Sequence, residues 1–122
     1  MPDHLDLGAW GEKLAADYLT QKGMHILQAN WTHQRAEVDL IAKDGEVLVF
    51  VEVKTRSSDY FGPPEAFVTS QKEKLLVRAA HAYMEHSGHD WEIRFDIVSI
   101  LCRNPEDYRI DHLVDAFWPG SW

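Results

Sequence analysis

The sequence predicts an α/β fold: a mixed, mostly antiparallel central sheet with two helices packed on it. Three observations lead there. Two segments, Leu7 to Gln21 and Gln71 to Met84, carry apolar residues at helical spacing. Short stretches elsewhere alternate apolar and polar residues or run β-branched, as strands do. One arrangement, helices laid on a sheet, buries both patterns at once. A chain of 122 residues, 45% apolar, makes a single domain, 1–122, that can bury roughly two-thirds of its unfolded surface.

The first helix has Leu7, Trp10, Leu14, Ala15, Tyr18 and Leu19 on one stripe, with Asp6 as its cap and Lys22-Gly23 as its end. Glu12 falls at the stripe's margin, which by periodicity alone is a solvated flank. Gly8 and Gly11 weaken the first turns, so either the backbone packs closely there or something needs access. Met24 to Trp31 is expected to be a strand and Asn30 to Gln34 a turn. Glu37 to Ala42 and Val47 to Lys54 follow as antiparallel partners joined by Lys43-Asp44-Gly45-Glu46, in which Asp-Gly is a hairpin signal. Alternation puts Leu48, Phe50, Glu52 and Lys54 on one face and Val49, Val51 and Val53 on the other; Glu37, Asp39 and Ile41 likewise share a face.

Thr55 to Pro64 is a predicted loop, with Tyr60 and Phe61 covering the core or stacking on a base. Ser70-Gln71-Lys72-Glu73 has capping-box spacing. The helix it opens carries Leu75, Leu76, Ala79, Ala80, Tyr83 and Met84 on its stripe and ends near Gly88. Trp91 to Leu101 is a strand in which Arg94 and Asp96 form a sheet-end charge pair or support a site. Asn104 to Asp107 is a turn, and Tyr108 to Val114 an edge strand. Phe117, Trp118 and Trp122 make an aromatic tail that packs locally or seals a dimer.

The formal charge of −8 argues against a general nucleic-acid coat. It leaves room for an enzyme with a small basic site, because Lys54 to Arg78 holds five basic residues and three acidic ones. Cys102 stands alone, so no intrachain disulfide forms and the cytoplasm is the expected compartment. No apolar run is long enough for a membrane span, and the first residues lack a leader pattern. The seven histidines give no zinc spacing, and no glycine-rich phosphate loop precedes a helix.

Chemistry concentrates in Asp39 and Glu52-Val53-Lys54. If the hairpin registers Asp39 near Glu52, two carboxylates meet at one end of an apolar sheet, which is costly unless a positive species joins them. Two carboxylates plus the Val53 carbonyl suit a hard divalent cation, Mg²⁺ or Mn²⁺. Lys54 beside them can position water and offset charge on a phosphoryl transition state. The plainer alternative is that Glu52 and Lys54 merely mark a strand's solvated end. On spacing alone, both stand.

The motifs Gly8-x-x-Gly11-Glu12-x-x-Ala15, Asn30-Trp31, Glu37-Val38-Asp39-Leu40-Ile41, Phe50-Val51-Glu52-Val53-Lys54-Thr55-Arg56, Phe61-Gly62, Lys72 and Arg94-Phe95-Asp96 occur in this order. Together they resemble the YraN-like family of small bacterial proteins, restriction-endonuclease-like in fold and similar to archaeal Holliday-junction resolvases. The resemblance covers nearly the whole chain. It implies Asp39 and Glu52 as metal ligands, Lys54 as the catalytic lysine and Glu12 as an acid contributed by the first helix. That last assignment replaces the solvated-flank reading of Glu12. Ala36 stands where family members commonly have glycine, a departure that removes no ligand.

Three functions then compete. One is a divalent-metal-dependent DNA phosphodiesterase of the endonuclease type, acting on branched or otherwise structured DNA, with Arg56, Lys72, Lys74 and Arg78 on the phosphates. The second is a nucleic-acid-binding accessory protein that keeps the fold without turnover. The third is an interaction protein using the aromatic tail. A homodimer is expected if two symmetric strands are cut.

Overall fold

The computed structural model describes residues 6–57 and 68–117. The expected loop aromatics Tyr60 and Phe61 and the tail residues Trp118 and Trp122 lie outside them. Helix α1 spans Leu7–Gln21. Strands β1 (His25–His33), β2 (Ala36–Asp44) and β3 (Val47–Arg56) follow. Helix α2 spans Ser70–Ser87, and β4 (Ile93–Asn104) and β5 (Asp107–Leu113) complete the order. The five strands form one sheet in chain order, antiparallel at every step except β3–β4, which is parallel and connected through α2. This is the mixed, mostly antiparallel sheet flanked by helices that the sequence predicts.

The two apolar faces of the sheet take one helix each. Leu40, Val49, Val51, Val53, Val98 and Ile100 pack with Ala15 and Leu19 of α1. Val38, Ile41, Leu48, Phe50, Phe95 and Ile97 pack with Leu76, Ala79, Ala80 and Tyr83 of α2. The β3 alternation is therefore as predicted. Gly11 explains the weak first turns of α1: an added Cβ would overlap the Thr55 hydroxyl and lie 2.8 Å from the Thr55 Cβ. Close approach of helix to strand, rather than ligand access, requires that glycine. Asp6 caps α1 as expected, its carboxylate accepting from Ala9 N–H at 3.1 Å.

Several local expectations need correction, the first in the hairpin: β2 runs on through Asp44, so the Lys43-to-Glu46 connection shortens to Gly45-Glu46. Strand β1 runs on to His33, absorbing Asn30 at φ 53, so the turn narrows to Gln34-Arg35. Strand β3 likewise continues through Arg56 beyond the expected start of the loop. Helix α2 is capped by Thr69, which accepts from Lys72 N–H at 3.2 Å, so Ser70 begins the helix instead of capping it. The simple alternation expected for Glu37, Asp39 and Ile41 also fails. Val38 and Leu40, two residues apart, join opposite core layers, whereas Val38 and Ile41 share one. The irregularity is centred on Asp39, and it shapes the site.

Candidate functional site

The hairpin β2–β3 begins as an ordinary ladder. Asp44 faces Val47 across a two-residue turn, and pairing continues to Leu40 opposite Val51. The next pair in that register would be Asp39 opposite Glu52, but the ladder ends before it. In its place Val53 N–H donates to Asp39 Oδ2 at 2.8 Å. A carboxylate thus occupies the position of a backbone acceptor, and the two strands part around it. A strand residue sends its N–H and C=O toward the same neighbour, so the Val53 carbonyl faces the same gap.

Glu52 follows Phe50 on the α2 face and is only 7% exposed. A lone carboxylate there would be costly. The first turn of α2 supplies its counter-charge: Lys72 Nζ lies 2.5 Å from Glu52 Oε1. The Thr69 cap fixes the start of that turn and so the position from which Lys72 reaches across. Asp39, Glu52 and Lys72 border an open cleft of about 410 Å³ whose outer rim includes Arg35 and Glu37.

Electrostatics single out Asp39. Burial first, and the Glu52 carboxylate second, push its pKa up to about 7, against the opposing pull of Val53 N–H and Lys72. Glu12 approaches from α1. Its pKa is also raised, by partial burial and then by Asp39 and Glu37, while a hydrogen bond from the Asn30 side chain works the other way. Asn30 sits where the β1–β2 register would face Asp39, between the pairs Ala29–Leu40 and Trp31–Val38. Its positive φ breaks the strand's regular course at the same level as the Asp39 irregularity.

The structure therefore gathers Asp39, Glu52, Lys72 and the Val53 backbone, with Glu12 close enough to feel Asp39. Lys54 follows Glu52 by two positions and emerges at the exposed end of the face, and Arg56 is half-buried beyond it. Lys74 and Arg78 are exposed on α2, and Arg78 borders a second, adjoining cleft. Arg94 and Asp96 stand apart. Their partners are Asp44, His112 and Asp115, so the sheet-end charge pair is their role. Among the described residues no group of three or more His, Cys, Asp or Glu side chains is placed to hold a metal ion. The oxygens that meet at this point are the carboxylates of Asp39 and Glu52, with the Val53 carbonyl turned toward the same gap.

Sequence reasoning missed two contributors. Lys72, expected on phosphate, turns its ammonium to Glu52 instead; nothing in helical periodicity tells which strand a first-turn lysine will reach. Asn30, expected at the start of a turn, lies inside β1. Its tolerance of left-handed backbone is a usable signal, but it signals a turn as readily as a strand irregularity.

A mixed sheet with a helix on each face, and acidic residues where β2 and β3 part, gives the chain a nuclease-like α/β architecture of the restriction-endonuclease type. More particularly, the chain belongs to the uncharacterised protein family UPF0102, whose model matches residues 11–100. It is 47% identical over 118 residues to a UPF0102 protein of Flavobacterium psychrophilum, covering 97% of this chain and 98% of that one. A UPF0102 protein of Rhodococcus jostii is 45% identical over 118 residues, with 96% and 100% covered. Among the described residues no helix is long and apolar enough to cross a membrane.

Proposed function

We propose that this protein is a divalent-metal-dependent DNA phosphodiesterase of the endonuclease type, directed at branched or structured DNA. The observation that carries the proposal is the meeting of Asp39 and Glu52 where the β2–β3 ladder stops, with Asp39 pushed up to about 7 and an ammonium drawn onto Glu52. A site that raises one carboxylate's pKa and recruits a lysine to the other is short of positive charge. Hard oxygens of this kind fit Mg²⁺ or Mn²⁺. Asp39, Glu52 and the Val53 carbonyl would hold the ion, which when bound supplies Lewis-acid polarisation of a phosphoryl oxygen and of water.

The chain's own residues then divide the remaining work. Lys54, on the Glu52 face, positions the attacking water and offsets charge gathering on the phosphate. Glu12 orients the Asp39 side of the site from α1. Arg56, Lys74 and Arg78 meet phosphates outside the reacting centre, and Lys72 joins them once a metal relieves it of Glu52. The likeness of the motifs to Holliday-junction resolvases favours a branched substrate, and a homodimer would match the two-fold symmetry of such a junction.

The test is a Mn²⁺-supported cleavage panel of linear, flap and four-way substrates with wild type and Asp39→Asn. Cleavage by wild type that the variant loses supports the proposal. The second reading, a DNA-binding accessory protein without turnover, draws support from Lys72, which already neutralises Glu52, and from the two-carboxylate donor set. Tight binding with no cleavage of any substrate, unchanged by Asp39→Asn, selects it.

A further inference from the structure

A groove leads away from the carboxylates. The cleft bordered by Asp39 and Glu52 shares Arg35, Ala36 and Leu75 with a neighbouring cleft of about 240 Å³. That second cleft shares His33, Gln34 and Arg78 with a third, of about 480 Å³, which reaches His81 and Glu85. The three clefts adjoin one another between α2 and the tip of the β1–β2 turn. Ala36 and Leu75 form the groove's apolar floor. Arg35 stands on the turn side and Arg78 on the helix side, both exposed.

These two arginines differ from others in the chain. Arg94, Arg103 and Arg109 each face an aspartate. Arg35 and Arg78 make no ion pair or hydrogen bond with another described residue. The backbone presents Arg35 at some conformational cost, since Gln34 beside it is held at φ 54, a left-handed position that a residue with a side chain seldom adopts. In a chain of net charge −8, two guanidiniums without an ion pair among the described residues, bordering one groove from the turn and from the helix, make a local anion track. Guanidinium forks suit phosphate oxygens better than a point-charge ammonium does. Glu85 at the far end and Glu37 at the carboxylate end limit the track to the stretch between them.

We propose that the Arg35–Arg78 groove holds the phosphate backbone of the DNA arm that leaves the carboxylate cleft, with Arg35 and Arg78 on opposite sides of one strand. The inference rests on the DNA-directed reading above and adds a path for the substrate and a residue, Arg35, that neither composition nor motif singled out. Because the contact is to phosphate, it contributes affinity and register without sequence preference.

The experiment is binding of a fluorescein-labelled duplex and a four-way junction in EDTA, titrated at several salt concentrations. Wild type is compared with Arg35→Ala, Arg78→Ala, the double variant and Lys43→Ala. Lys43 lies at the opposite end of β2 and controls for loss of one positive charge. The double variant should bind at least ~10-fold more weakly, and the slope of log affinity against log salt should fall by about 0.9 for each duplex phosphate contact removed. Lys43→Ala should stay within about twofold of wild type. Arg→Lys at both positions should restore the slope more fully than the affinity, since charge returns without the fork. A double variant with wild-type affinity and slope overturns the groove while leaving the cleavage reading intact. Wild type that binds neither probe at any salt concentration overturns the DNA reading and the groove with it. Both side chains are exposed, so unchanged melting of the variants separates lost binding from lost fold.

Discussion

Two carboxylates on strands of the same sheet, Asp96 buried and Asp39 half-buried, have opposite surroundings. Asp96 on β4 is surrounded by donors. Arg94 grips both of its oxygens at 2.9 and 3.0 Å, His112 Nε2 lies 2.7 Å from Oδ2, and Asp115 N–H donates at 2.9 Å. Lys22 in turn donates to His112 Nδ1 at 3.1 Å, which leaves Nε2 to donate to the carboxylate. Burial pushes the Asp96 pKa up, but these partners outweigh it and hold it below the usual aspartate value. Asp39 on β2 receives one backbone N–H, faces another carboxylate and is pushed up to about 7. A carboxylate whose partners all lie within the chain ties the fold together. One left short of positive charge is where the proposed function seats its cation.

The comparison predicts its largest effect at Asp96. Replacing it with alanine strands the buried His112 and leaves Arg94 with Asp44 alone, and should cost about 3–5 kcal/mol of stability, in line with breaking a buried pair by removing one partner. Thermal unfolding measures this, and Asp39→Asn in the same assay should be neutral or stabilising. Equal losses from the two would erase the distinction between them.

Next comes Lys54. Lys54→Ala should leave melting unchanged but slow Mn²⁺-supported cleavage of branched or flap DNA by at least ~100-fold, the cost of removing one transition-state electrostatic donor. Robust cleavage by the purified variant would remove the lysine's role.

A smaller effect lies in pH, where the two aspartates act with opposite sign. The raised Asp39 pKa means the folded chain holds a proton that the unfolded chain has released. Its share of stability is therefore full below about 3.8 and is lost as pH rises toward about 7. The lowered Asp96 pKa works in reverse: its share is present above the unfolded value and is lost as pH falls through the folded one. In the absence of metal, denaturant unfolding of Asp39→Asn should lack the decline that wild type shows between pH 4 and 7. Parallel wild-type and variant profiles would show that Asp39 is not held protonated.

Much of this was legible in the sequence, for identifiable reasons. The α1 boundaries follow from Asp6 and Gly23, whose capping chemistry is local. The Asp-Gly pair signals the hairpin but not its register: a Lys43-to-Glu46 connection would set Asp39 opposite Phe50, and only the observed two-residue turn, Gly45-Glu46, brings it level with Glu52. Non-local geometry was not legible. Lys72 reaches Glu52 across 20 positions, and His112 reaches Asp96 across 16. No window of sequence contains either pair. The irregularity at Asp39 was hidden because the Val38-Asp39-Leu40-Ile41 run satisfies simple alternation on paper. Only the bond from Val53 N–H shows why the strand departs from it.

The central claim is that Asp39 and Glu52 form a site awaiting a cation, and the most direct measurement is melting with and without millimolar Mn²⁺. Wild type at pH 8 should be stabilised by about 2.7 kcal/mol when Mn²⁺ stands at 100 times its dissociation constant. Asp39→Asn and Glu52→Gln should each lose most of that shift, while Asp96→Asn, though less stable at the start, should keep it. A wild-type melting temperature unmoved by Mn²⁺, or an equal shift in all the variants, would contradict the account.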